Sequence, residues 1–260
     1  MAAIALHFGR IPLELNSEEV QDYLYELQKR SSTQSQTRFK HTIFGLRFLL
    51  KSEGLPYDHL LLPSVKKTGT LPAVLSKEEV WRMLRSPELL KHRILIGVLY
   101  GCGLRCSEVC NVRLRDLDFD RKILHVVQGK GKKDRYVPLS DHLIRGLKTY
   151  IDSENLENWL FNGQAGAGSG NRYSSRSVQS AVKQAAKRAG IMKDVHVHTL
   201  RHSYATHLLE DGLDIVSVKN LLGHSRIQTT MIYLHVARSN PHRAFSPLDT
   251  LFSQCAVQRR

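Results

Sequence analysis

Apolar residues return at helical intervals over most of this chain. Val20, Tyr23, Leu24 and Leu27 recur on one helical face behind a cap candidate at Asn16, and Phe39, Ile43, Leu46 and Leu50 repeat the pattern up to Gly54. Two amphipathic helices are therefore expected before residue 55. Residues 63–72 carry prolines at both ends, a basic pair, a glycine and no apolar period, and read as an exposed linker. Beyond it, Ser76-Lys-Glu-Glu79 is a capping box that opens a helix, and Ser86-Pro87 is expected to open another with proline at its first position. The apolar run 94–104 predicts a buried helix.

Residues 123–127 and 135–139 are short and rich in β-branched side chains, which predicts two strands. The Gln-Gly-Lys-Gly-Lys-Lys-Asp segment between them makes a basic hairpin with Lys130 near its tip. Residues 176–189 predict a helix stopped by Gly190, and the Gly/Ala/Ser-rich stretch 163–170 a loop. Three more helices follow: from Thr199 to near Gly212, from Asp214 to Gly223, and from the capping box Ser225-x-x-Gln228 past Tyr233. The fold class is thus mainly α with a small β-sheet, an α+β unit preceded by a small all-α unit. The boundaries drawn are a helical unit over 1–65, a linker over 66–72, the main unit over 73–245 and a tail over 246–260.

Charge narrows the function. The 260 residues hold 38 Lys+Arg against 24 Asp+Glu, a net +14, and an excess of that size calls for an anionic partner, of which nucleic acid is the commonest. Hydrophobic residues make up 42%, enough for a packed core and too many for a disordered chain. The longest apolar run falls far short of the roughly 18–20 residues of a membrane-spanning helix, so no membrane role is expected. The N-terminus lacks a secretory pattern, and the expected location is the cytoplasm or nucleoid. Cys102, Cys106 and Cys110 fall four residues apart on an apolar stretch and Cys255 lies in the tail; without C-x-x-C pairs they read as buried free thiols, and no metal site is expected. The second helix carries Arg38, Lys40, His41, Arg47 and Lys51 opposite its apolar stripe. Arg38, Lys40, Arg47 and Lys51 are candidate DNA contacts, with Lys132 and Lys133 of the hairpin.

Four separated motifs carry chemistry: Gly103-Leu-Arg105-Cys-Ser-Glu108, Gly129-Lys130-Gly131, His198-Thr-Leu-Arg201-His-Ser-Tyr-Ala-Thr-His, and Leu221-Leu-Gly-His224 followed by Tyr233. Each occurs often by chance; in this order and together, over residues 72–240, they resemble the tyrosine recombinases, the phage-integrase and Xer-type family. The resemblance implies a C-shaped clamp on DNA and strand cutting and rejoining through a 3′-phosphotyrosyl intermediate and a Holliday junction, without metal, ATP or any cofactor. By the family's motifs Tyr233 is the nucleophile, and Arg105 and Arg201 match the transition-state charge with forked hydrogen bonds. Lys130 is the general acid for the leaving 5′ oxygen, His198 accepts the tyrosine proton, and His224 donates to a phosphate oxygen. Glu108, a turn after Arg105, supports that arginine or a neighbour. His202, His207 and His235 read as packing or supporting groups and Tyr204 as core. The implied partners are double-stranded DNA with a specific recombination site and further copies of the chain, as a homotetramer on two sites. Two rival readings share the fold: a DNA-binding protein without catalysis and a type IB topoisomerase.

Overall fold

A computed structural model describes residues 2–29, 34–56, 60–64, 71–127, 134–163 and 171–237. The chain divides into two compact units, Met1–Gly69 and Thr70–Arg260.

The first unit holds α1 (Ala2–Phe8), α2 (Ser17–Lys29) and α3 (Gln34–Ser52). The Asn16 side chain accepts from the Glu19 amide at 2.8 Å while Glu19 accepts from the Asn16 amide at 3.0 Å, a reciprocal cap that fixes where α2 starts. Gly54 at φ +70° lets the Leu55 amide fold back onto the Leu50 carbonyl and closes α3. The expected stripes meet: Val20, Tyr23 and Leu24 of α2 and Ile43, Leu46 and Leu50 of α3 are buried in one cluster with Ile4 and Leu60. Burial of these side chains, at about 1.5–3 kcal/mol each, is what a unit this small depends on.

The second unit is built around α5 (Leu90–Gly101), whose Ile94, Leu95, Ile96, Val98 and Leu99 are all buried. Around it lie α4 (Lys77–Arg85), α7 (Asp141–Glu154), α8 (Ser175–Arg188) and α9 (Val197–Glu210). The Ser76 capping box is present, with Glu79 N to Ser76 Oγ at 3.1 Å and Ser76 N to Glu79 Oε2 at 2.7 Å. Ser86-Pro87 does not open a helix: Ser86 ends α4, its hydroxyl donates to the carbonyls of Met83 and Ala185, and α5 begins only at Leu90. Ser86 keeps helical dihedrals, φ −74° and ψ −29°, at the end of α4, and not the extended backbone that an N-cap requires. The apolar run 94–104 also outlasts its helix, because Gly103 takes φ +58°. The helix α7, absent from the sequence reading, starts at Ser140, whose hydroxyl accepts from the Leu143 amide.

The short helix α6 (Cys106–Cys110) leads into an antiparallel sheet of order β1 (Leu117–Asp118), β2 (Ile123–Val126) and β3 (Arg135–Pro138). Leu124 pairs with Val137 and Val126 with Arg135, which turns Arg135 inward with Val137 while His125 and Tyr136 stack 4.7 Å apart on the other face. The hairpin tip, with Lys130, Lys132 and Lys133, lies outside the described residues. Asp214 caps α10 (Ile215–Leu222), which ends at Gly223 with φ +62°. The last expected helix is shorter than its pattern suggested. Ser225 caps nothing among the described contacts, α11 is the single turn Gln228–Met231, and successive tight turns then carry the chain through Tyr233. Two non-local contacts replace the helix: the Thr230 hydroxyl binds His224, and the Tyr233 ring is drawn inside.

Candidate active site

The site starts from two glycines. A Cβ on Gly103 would stand 2.4 Å from Cδ1 of Tyr204, so the turn out of α5 brings backbone against that ring as only glycine permits. It delivers Arg105 to the start of α6 and Glu108 one turn later. Glu108 is the hub. Its carboxylate accepts from the Arg105 amide at 2.8 Å, from Arg105 Nη1 at 2.6 Å, and from Nη1 and Nη2 of Arg135 at 2.8 Å each; Arg201 Nη1 stands 3.8 Å away. Burial alone raises the Glu108 pKa, but the hydrogen bonds and charge of Arg135 and Arg105 outweigh it and bring it down to about 2. Arg135 also donates from Nε to the Leu221 carbonyl at 2.8 Å, joining β3 to the end of α10. Its aliphatic chain lies against Gly223, where a Cβ would meet it at 3.1 Å.

Arg201 rises from α9, buried, and donates to the carbonyls of Gly103 (2.6 Å) and Leu222. Its Nη2 lies 3.2 Å from His224 Nε2, and His224 Nδ1 lies 2.9 Å from Thr230 Oγ1. An arginine only donates, so His224 Nε2 accepts and its Nδ1–H donates to Thr230; these bonds assign the tautomer. Tyr233 is 2% exposed, and its ring lies nearly parallel to that of His224 at 6.4 Å. Burial raises its phenol pKa, and the charges of Arg201 and Arg105 act against that rise.

The phenol's partner is a histidine outside the catalytic positions of the four motifs. Tyr233 Oη is 2.9 Å from Nδ1 of His202, a residue the sequence reads only as a packing or supporting group; His198 stands a turn away, exposed, its ring 6.2 Å from that of His202. Partial desolvation and then the charges of Arg201 and Arg105 lower the His198 pKa. Burial, followed by His198 and Arg201, brings that of His202 to about 4, so this ring is neutral at pH 7. His207 is a strut: Nδ1 meets the Tyr100 hydroxyl at 2.9 Å and Nε2 the Leu75 carbonyl at 3.0 Å. Tyr204 is buried and His235 exposed.

Arg105, Glu108, His198, Arg201, His224 and Tyr233 thus form one continuous cluster, to which Arg135, His202 and Thr230 are added. An arginine at an inward strand position and a histidine one turn from His198 were the available signals for two of these. Arg38, Lys40, Arg47 and Lys51 all lie on α3 of the first unit, where Arg47 already donates to the Pro63 carbonyl at 3.0 Å. Cys102, Cys106 and Cys110 are free thiols, and burial pushes that of Cys102 up to about 12. Among the described residues no helix is long and apolar enough to cross a membrane.

A buried tyrosine hydroxyl bonded to His202, in one cluster with His224, Arg201 and Arg105, sets a phenol near guanidinium groups of the kind that pair with oxyanions, on a helical unit with a three-stranded sheet. Sequence comparison gives the family. The profile described as the phage integrase family matches residues 73–240. A tyrosine recombinase of Thermosipho africanus is 42% identical over 186 residues, 70% of this chain and 63% of that protein. Tyrosine recombinase XerA of Thermococcus kodakarensis is 35% identical over 233 residues, 89% of this chain and 81% of that protein. In fold, the chain matches a XerH site-specific recombinase, solved bound to palindromic difH substrate as a post-cleavage complex. The TM-score is 0.72 at 23% identity, over 92% of this chain and 74% of that one. The chain belongs to the phage integrase family, the tyrosine recombinases.

Proposed function

We propose that the protein is a site-specific recombinase that cuts and rejoins DNA through a 3′-phosphotyrosyl intermediate at Tyr233 and a Holliday junction. The observation that carries the reading is the Tyr233 hydroxyl, buried in one cluster with Arg105, Arg201 and His224. A phosphodiester bound there gathers charge on its non-bridging oxygens as the phenol attacks, and guanidinium groups already oriented by Glu108 and by backbone carbonyls meet that charge without reorganising. The covalent phosphotyrosine keeps the bond energy until a strand end returns, so ATP is not required. His224 donates from Nε2 to a phosphate oxygen once that oxygen replaces it on Arg201 and the ring changes tautomer, Nδ1 then accepting from the Thr230 hydroxyl, and Lys130 protonates the departing 5′ oxygen.

Double-stranded DNA is the partner. In this reading residues 1–65 form the core-binding domain, with Arg38, Lys40 and Lys51 on a helix that contains no acidic residue, and Lys132 and Lys133 add phosphate contacts. Residues 66–72 link it to the catalytic domain over 73–245, and the enzyme works on the nucleoid. Two duplexes are exchanged by a homotetramer. Leu248, Leu251 and Phe252 of the tail 246–260 recur at helical spacing, and such a stripe docks either on its own catalytic domain or, as the family resemblance implies, on a neighbouring subunit, with a groove of about 630 Å³ lined by Trp81, Leu84, Leu90, Ile94, Leu143 and Leu208 as an apolar surface of suitable kind.

A nicked suicide duplex tests the proposal, its site enriched from a randomised pool by binding to this protein. Covalent adducts that survive denaturation are expected from the wild type. Tight binding without adducts would make it a DNA-binding protein only, and relaxation of supercoiled plasmid lacking the site would favour a topoisomerase. Truncation after Phe245 is expected to spare single-site binding and abolish synapsis; full strand exchange by that protein would refute the tail's role.

A further inference from the structure

The histidine that touches the reacting oxygen of Tyr233 is His202. Its Nδ1 is 2.9 Å from Oη, with ring centres 5.6 Å apart and inclined at 50°, and the phenol it holds is 2% exposed. With the imidazole unprotonated and the phenol protonated, the bond runs from O–H to Nδ1, the direction in which a proton must leave the nucleophile.

We propose that His202 accepts the Tyr233 proton as the tyrosine attacks. The assignment rests on the strand-transfer reading above. The Oη–P bond forms while the phenolic proton passes along the existing hydrogen bond to Nδ1. The P–O5′ bond breaks, and the departing O5′ takes its proton from Lys130. Rejoining runs the same transfers backward, with the 5′-hydroxyl attacking phosphorus and His202 returning its proton to Oη. A phenol becomes strongly acidic as its oxygen bonds to phosphorus, so a weakly basic imidazole suffices, and one that is unprotonated at neutral pH is always in the accepting state. His198, set among the charges of Arg201 and Arg105, then serves the phosphate oxygens.

The test compares the wild type, Tyr233→Phe, His202→Ala, His202→Asn and His198→Ala on the nicked suicide duplex, with DNA affinity measured for each. His202→Ala is expected to bind DNA as the wild type does and to form adducts at least tenfold more slowly, since general bases contribute about 10²- to 10⁴-fold. Imidazole in the buffer should recover part of that rate in His202→Ala and none in His198→Ala. His202→Asn keeps a hydrogen-bond acceptor near the Nδ1 position but cannot take a proton, and it should remain slow; this smaller change carries the test if the alanine variant loses its fold. Adducts formed by His202→Asn at the wild-type rate, or imidazole rescue of His198→Ala instead, would overturn the assignment alone. Absence of adducts from the wild type, or their persistence in Tyr233→Phe, would overturn the strand-transfer reading and this assignment with it.

Discussion

Glu108 and Arg135 face each other through two parallel hydrogen bonds of 2.8 Å, each guanidinium terminal nitrogen on its own carboxylate oxygen. Both side chains are almost fully buried, 4% and 8% exposed, and Arg105 binds the same carboxylate. The pair therefore sets the orientation of Arg105 as well as joining β3 to α6.

Breaking one side of such a pair leaves an uncompensated buried charge. Glu108→Gln is expected to cost about 3–5 kcal/mol, and Glu108→Met with Arg135→Met much less than the two single changes added together. Thermal unfolding reads both, at about 2–4 °C per kcal/mol for a unit of this size. The double variant should regain stability without regaining activity, because Arg105 has lost the carboxylate that aims it.

The pH dependence has a definite sign. The folded pKa of Glu108, about 2, lies below the roughly 4.3 of an unfolded glutamate, so its contribution is complete above the unfolded value and fades as pH falls toward 2. Urea midpoints measured from pH 6 downward should show this acid loss in the wild type. In Glu108→Gln that component should be missing, from a lower starting stability.

Gly103→Ala should be costly and Gly223→Ala milder. Both positions have φ near +60°, but at Gly103 the added carbon meets the packed Tyr204 ring at 2.4 Å, while at Gly223 it meets a side-chain methylene of Arg135 at 3.1 Å. Positive-φ strain plus overpacking places the first at about 3 kcal/mol or more and the second at about 1–2 kcal/mol, measurable by chemical denaturation.

Local chemistry made much of this fold legible. The caps at Asn16, Ser76 and Asp214 and the stops at Gly54, Gly190 and Gly223 act within a few residues, and they fall where the pattern put them. Helix α7 is missed although its Ser140 cap is local, but most of the other misses involve distant partners. Arg135 is paired with a carboxylate 27 positions away, so its burial leaves no trace in its own segment. The His202–Tyr233 bond spans 31 positions, and the pattern past Ser225 could not report that Thr230 and Tyr233 are taken up by side-chain contacts instead of a helix. Within the candidate site, Arg105, Arg201, His224 and Tyr233 are singled out in the sequence by motif order and not by any property of one residue.

Lys130 has its own diagnostic. As the general acid, Lys130→Ala should cleave ordinary DNA slowly and recover on a duplex whose bridging 5′ oxygen is sulfur, a leaving group that departs without a proton. Equal defects on both substrates would reduce Lys130 to a phosphate contact and direct attention to Lys132.

The most direct measurement is to trap the protein on the nicked suicide duplex, digest both components, and locate the nucleotide on the peptides by mass spectrometry. The account predicts one modified peptide, with a 3′-phosphate esterified to Tyr233 and no adduct in Tyr233→Phe. A nucleotide on any other residue, or adducts that persist in that variant, would contradict it.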